Sequence, residues 1–234
     1  MNYTHLIDPE LKSIAKRVPY NKFLIKTANI YQMLAFALTG IPREISCKRI
    51  IIRENGRLPL KVAIYEPASA ADKLPCLLYI HGGAFSYKAS AHHKKLACIY
   101  ALEANCRVVL PDYHLLPEHP YPTAYQDVLS VYKWLLKNAE SLLIDRELIG
   151  IAGDSSGGAI AAAICNAYEK VALPIPCAQM LIYPVTDASM STKSIKLYSD
   201  TPLRNSPNNK KMRVFNLKNV KGKNILNASP IHNF

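Results

Sequence analysis

The chain has 234 residues, half of them hydrophobic, and a formal charge of +12. That content suffices for one sizeable α/β domain, or one domain with a small lid, and excludes disorder throughout. The charge does not mark a nucleic-acid binder. Residues 1–60 hold ten Lys/Arg against four Asp/Glu, residues 61–187 ten against twelve, and residues 188–234 nine against one. The basic excess sits at the two ends, with no recognisable nucleic-acid module in either, so it reads as solvated surface with at most a weak attraction for anionic surfaces.

In chain order, residues 1–45 read as N-terminal cap helices. Leu6, Ile7, Leu11, Ile14, Ala15 and Val18 recur at helical spacing up to Pro19, and a second apolar segment runs from Phe23 to Leu38. Such a pair can cover a pocket or a sheet edge. Cys47 to Arg53 and Leu60 to Tyr65 read as strands joined through Asn55-Gly56, a hairpin signal. The rhythm then becomes strand, helix, strand. Cys76 to Ile80, Cys106 to Leu110, Leu148 to Ala152 and Ala178 to Tyr183 are apolar strands, with helices over Ala91 to Ala104, Tyr121 to Lys137 and Gly158 to Lys170. This alternation predicts an α/β fold with a mostly parallel six-stranded sheet flanked by helices and an antiparallel first hairpin. The core spans residues 46–187, and residues 188–234, polar with short apolar islands, offer no further βαβ unit.

Six cysteines lie scattered without a C-x-x-C, as buried thiols of a reducing compartment would. The opening residues carry no signal-peptide pattern, and the run Ala28 to Ile41 is too short to span a bilayer. The expectation is a cytoplasmic chain with no membrane span, no nucleic-acid partner and no clustering of residues for a metal site.

Chemistry concentrates at Gly150 to Gly158, GIAGDSSGG. Within it Gly153 to Gly157 fits G-x-S-x-G, the pattern of a serine on a sharp strand-to-helix turn, and makes Ser155 the candidate nucleophile. The following helix points its first amides at the same spot. Gly82-Gly83 follow another strand directly, and without Cβ atoms their N–H groups can approach a substrate carbonyl. With the amide of Ser156 they would make a three-donor oxyanion hole. Both motifs end parallel strands, where α/β sheets place their sites.

The stretches HGGAF (81–85), DYHLLPEHPYPTAYQD (112–127), GDSSGG (153–158) and LIYPVTD (181–187) resemble the hormone-sensitive-lipase-like branch of α/β-hydrolase carboxylesterases, in order and at familiar spacings. The resemblance runs from about residue 45 onward. It implies hydrolysis of short- to medium-chain acyl esters by a serine nucleophile, with a small-molecule ester as substrate, no metal and no cofactor. It also implies His81 as a structural residue of its loop, Asp154 as a buttress of the nucleophile turn and Glu118 as a buttress of the loop after the fourth strand.

The family orders its triad Ser, Asp, His, with the acid after a seventh strand and the base after an eighth. Here SIKLYSDTPLRNSPNNKKM resembles the second cap segment and ASPIHNF (228–234) the loop before the seventh strand, so the expectation is a chain truncated before the last two strands. Asp200 and His232 formally complete Ser, Asp, His, but no apolar strand precedes either, and they read as a cap aspartate and a surface histidine. Arg204 and Arg213 stand where the family tends to carry tryptophan, and Leu116 where a small alanine is usual. The alternative to an esterase is a homologue that binds an apolar ligand without turning it over, or an inactive fragment.

Overall fold

The computed structural model describes residues 4–13, 15, 19–54, 56–167, 172–197, 199, 201–202, 205–220 and 228–232. A six-stranded sheet forms the centre: β1 (Ile45–Ile52), β2 (Leu60–Pro67), β3 (Leu74–Ile80), β4 (Arg107–Asp112), β5 (Ile144–Asp154) and β6 (Gln179–Ile182). They lie in the order β1-β2-β4-β3-β5-β6. β1 and β2 form an antiparallel pair and β2 is antiparallel to β4, whereas β4, β3, β5 and β6 run parallel. The six expected strands and the antiparallel first hairpin are therefore all present. Gly56 carries φ +76° in the hairpin turn, and Asn55 lies outside the described residues.

Alternation along the strands builds two cores. Val62, Ile64, Leu78, Ile80, Val109, Ile149 and Ile151 pack against helices α3 (Thr123–Asn138) and α4 (Ser156–Asn166). Tyr65, Tyr79, Val108, Leu110 and Ala152 face α2 (Ala91–Glu103), whose Ala97 and Ala101 are small enough to bring it close to the sheet. Val128, Val131 and Leu135, fully buried at helical spacing, hold α3 in place. Each such aliphatic burial contributes about 2 kcal/mol.

The N-terminal segment departs from expectation. Residues Thr4–Leu6 and Pro9–Leu11 form two 3-10 turns rather than a continuous helix; Ile14 and Val18 lie outside the described residues. Asp8 caps Pro9–Leu11 by accepting from the Glu10 amide, while Leu6 and Leu11 stay exposed at 70% and 52%, so no apolar face exists to anchor a longer helix. The second segment does fold as α1 (Lys22–Leu38), capped by Asn21 accepting from the Leu24 amide. Lys94 holds its far end by donating to the carbonyls of Phe36 and Thr39.

Beyond β6 the chain forms α5 (Lys193–Leu197), α6 (Ser206–Asn216) and a turn at Pro230–His232. An Asn205 side chain accepting from the Asn208 amide, with proline in the first turn, starts α6. Residues 228–232 dock on the exit of the sheet: Asn166 Nδ2 donates to the Pro230 carbonyl, the Ile231 amide to the Thr186 carbonyl, and Ser229 Oγ accepts from the Ala188 amide. Asp200, Arg204 and the side chain of His232 lie outside the described residues. Among the described residues no helix is long and apolar enough to cross a membrane. All six cysteines are free thiols; Cys177 is exposed and Cys47 half-buried, against the expectation of burial for all.

Candidate active site

Ser155 sits between β5 and α4 with φ +52° and ψ −115°, a backbone conformation that costs a non-glycine residue about 1–3 kcal/mol. Neighbouring strands hold it there. Its amide donates to the Ile182 carbonyl at 2.9 Å, and its carbonyl accepts from Val185 at 3.1 Å and Ala159 at 3.2 Å. The turn also needs Gly157, where a Cβ would run into the Ile80 carbonyl oxygen of β3. Ser156 is fully buried behind the turn, and its Oγ accepts from the Phe85 amide at 3.2 Å.

The loop after β3 carries the second half of the site. Gly83 has φ +134°, and Ala84 and Phe85 follow at +54° and +56°. This run of unusual conformations turns the Gly83 and Ala84 backbone toward the cavity that Ser155 lines. Gly82 behaves differently. Its amide donates to Asp154 Oδ1 at 2.9 Å, and a Cβ there would collide with the same carboxylate. The expected oxyanion donor at Gly82 is thus committed elsewhere. Among the described residues no hydrogen bond engages the amides of Gly83 and Ala84, which leaves Gly83, Ala84 and Ser156 as the available set.

Asp154 bridges the two halves. Besides Gly82 it accepts from Tyr79 Oη at 3.3 Å and faces His93 Nε2 at 3.3 Å. Burial pushes its carboxyl up, but the His93 contacts and the Gly82 amide outweigh that and hold it below the ordinary value. The histidine protons follow from their partners. Nδ1 of His93 accepts from the Ser90 amide at 2.9 Å, so Nε2 carries the hydrogen that points at Asp154. Nδ1 of His81 lies 2.7 Å from the Gly82 carbonyl and must donate, which leaves Nε2 bare and, among the described residues, without a partner. His81 is fully buried and stacked on Tyr113, with ring centroids 4.4 Å apart. Burial and the neighbouring His93 pull it below its ordinary pKa, so it stays neutral. Tyr113 donates to the His81 carbonyl at 2.8 Å. His81 and Asp154 therefore act as parts of one scaffold, and no hydrogen bond joins Ser155 Oγ to any described histidine side chain.

Glu118 does not buttress the loop after β4: it is exposed and makes no hydrogen bond among the described residues. Asp127, at the second turn of α3, does that work, accepting from the His114 amide at 2.9 Å and meeting His114 Nδ1 at 2.8 Å. The Leu116 amide, bonded to the Phe85 carbonyl at 2.7 Å, ties this loop to the Gly82-Gly83 loop. Leu116 itself is buried with Tyr20, Ile25, Ala84 and Met212, a small core that joins α1, α6 and the site loops.

Over Ser155 opens a cavity of about 660 Å³, lined by Leu24, Thr27, Ala28, Tyr31 and Gln32 of α1, Asn208, Asn209 and Met212 of α6, and Gly83, Ala84 and Tyr87 of the loop. The two helices meet where the Tyr20 and Phe215 rings lie 5.8 Å apart. Tyr20 Oη also bonds Ser86 Oγ, and Asn29 reaches the Ser86 carbonyl and the Lys88 amide, so α1 is pinned to the site loop.

A serine on a strained strand-to-helix turn, unbonded amides opposite it and a central parallel sheet define a class of fold. Residues 77–232 match the alpha/beta hydrolase fold family, and the chain belongs to it. Carboxylesterase NlhH of Mycobacterium tuberculosis is 32% identical over 200 residues, 84% of this chain and 63% of that protein. Ethyl acetate hydrolase of Pseudomonas putida is 34% identical over 160 residues, 67% of this chain and 50% of that one. The crystal structure of esterase LipW from Mycobacterium marinum superimposes with a TM-score of 0.85 at 27% identity, covering 95% of this chain and 71% of the other. The chain thus spans less than two thirds of the length of these two curated relatives.

Proposed function

We propose that this chain carries the nucleophile and oxyanion half of a carboxylic ester hydrolase, with α1 and α6 as the lid over a small-molecule ester. The observation that carries this reading is the conformation of Ser155, φ +52° on the β5–α4 turn, facing the same cavity as the unbonded amides of Gly83 and Ala84. In the reaction Ser155 Oγ attacks the ester carbonyl carbon and its proton passes to a base. The oxyanion sits on the amides of Gly83, Ala84 and Ser156, the alcohol leaves, and water releases the acid from the acyl-serine. Asp154 positions the donors through Gly82 and takes no proton. A cytoplasmic setting suits six unpaired thiols.

None of the described histidine side chains is hydrogen-bonded to Ser155: the lone pair of His93 is taken by Ser90, His81 is buried in its own loop, and His114 is paired with Asp127. Oxyanion donors and binding alone leave about 10³- to 10⁴-fold acceleration over water. Purified chain is therefore expected to turn over p-nitrophenyl butyrate near background, while an alkyl fluorophosphonate labels Ser155 slowly and to one equivalent by intact mass. Absence of label, or label retained by S155A, refutes the nucleophile. Brisk turnover abolished by S155A refutes the missing base. A preserved 660 Å³ cavity in which, among the described residues, no histidine is bonded to Ser155 also suits ligand capture without chemistry. A medium-chain ester that raises Tm and is recovered intact would identify that role.

A further inference from the structure

Helix α1 carries apolar side chains on its outward side as well as its inward one. Its inward side carries Asn29, bonded to the Ser86 carbonyl and Lys88 amide, and Gln32, whose buried Oε1 has no partner among the described residues, beside Leu24, Ala28 and the buried Ile25. Its outward side carries Phe23, Ile30, Leu34 and Leu38 in one stripe, exposed at 74%, 49%, 54% and 85%, flanked by Tyr31 and Met33 at 73% and 52%. Six large apolar side chains exposed on one helix of about 25 Å are far from the isolated surface leucine of an ordinary soluble domain.

The charges around this face decide what it fits. From Tyr20 to Arg43 the sequence contains no Asp or Glu, and its cations are Lys22, Lys26 and Arg43, all exposed. Lys22 sits 5.8 Å over the Phe215 ring at the head of the helix, and Lys26 lies on the outward arc, one turn before Ile30. A second copy pairing through the same face would find no acidic group on α1 to meet these cations. An anionic lipid surface offers apolar depth for the stripe and phosphates for the lysines.

We propose that the outer face of α1 docks in the plane of an anionic membrane surface, with Phe23, Ile30, Leu34 and Leu38 in the headgroup–acyl boundary and Lys22, Lys26 and Arg43 on lipid phosphates. Tyr31 and Thr27 belong both to the exposed side of the helix and to the wall of the Ser155 cavity. Docking therefore brings the cavity beside the lipid surface, where an apolar ligand can enter without crossing water. The proposal is independent of any chemistry at Ser155.

Co-sedimentation of the full chain with phosphatidylcholine vesicles, with and without phosphatidylserine, tests it. The wild-type chain is expected to pellet with the phosphatidylserine vesicles and to be released by salt. Ile30→Glu with Leu34→Glu should abolish pelleting, and Lys22→Gln with Lys26→Gln should weaken it roughly tenfold or more. All four positions are exposed, so both variants should keep the wild-type Tm, which separates lost docking from lost folding. A wild-type chain that stays in the supernatant with both vesicles overturns the proposal, as does pelleting that survives the glutamates. A solution dimer dissolved by the glutamates, with no vesicle binding, overturns it in favour of self-association.

Discussion

Helix α4 buries nine of its eleven residues and α1 one of seventeen, although Ser155 at the head of the first and Leu24 and Tyr31 on the second border the same cavity. The first is held by backbone against backbone: glycines let it press on β3, and the serine turn is bonded on both sides by the segment around β6. The second is held by a few side chains, Asn29 on the site loop and Lys94 at its C-terminal carbonyls. One helix fixes the turn that holds Ser155. The other only has to cover it, which leaves its outer surface free for another use.

The contrast is breakable by mutation, most severely at Gly157. Gly157→Ala drives a Cβ into the Ile80 carbonyl, and a loss of about 4 kcal/mol or more, read by urea unfolding, is expected. A cost below about 1 kcal/mol would mean that α4 can slide on the sheet. Next comes Asp154→Ala, which strands the Gly82 amide and Tyr79 hydroxyl in the interior and is expected to cost about 3 kcal/mol. Stability should also decrease as pH is lowered below neutrality. His81 is held below its ordinary 6.5, so below that value the unfolded chain takes the proton first. Stabilisation is complete above about pH 6.5 and declines from there toward the folded value, by up to about 1.4 kcal/mol per pH unit. Asp154, lowered from 3.8, contributes above that value and is lost only in stronger acid, as pH falls through its folded value. Urea titrations at pH 7.5 and 5.5 should therefore differ by about 1 kcal/mol, and identical midpoints would show that His81 is solvated. The smallest effect belongs past the end of α1: Gly40→Ala meets no atom within 4 Å and should shift stability by less than about 0.5 kcal/mol.

Local pattern carried the architecture well. Apolar runs and their spacing located every strand of the sheet, and G-x-S-x-G beside a strand located the turn at Ser155. What escaped the sequence were partnerships between distant segments. Nothing in Gly82-Gly83 tells which amide faces a cavity and which faces the Asp154 carboxylate, because that depends on how two strands lie side by side. The same holds for Asp127, which supports the loop after β4 where Glu118 was expected to, and for His93, reached only because α2 crosses the sheet near β5. Spacing alone predicts helix for the N-terminal turns because it does not say whether a surface exists to receive it. At α6, Asn205 and the following proline form a start signal that apolar spacing does not carry.

The bond from Asp154 to the Gly82 amide has one further consequence. The carboxylate that fixes the Gly82-Gly83 loop is one peptide unit from Ser155, so the serine turn and the loop share a single mechanical joint. When the Ser155 turn moves, the loop is carried along with it. In amide hydrogen exchange this separates adjacent residues of one loop: the Gly82 proton, locked to a buried acceptor, exchanges with the slow sheet core, while the Gly83 and Ala84 protons, unbonded among the described residues, exchange as fast as water enters the cavity.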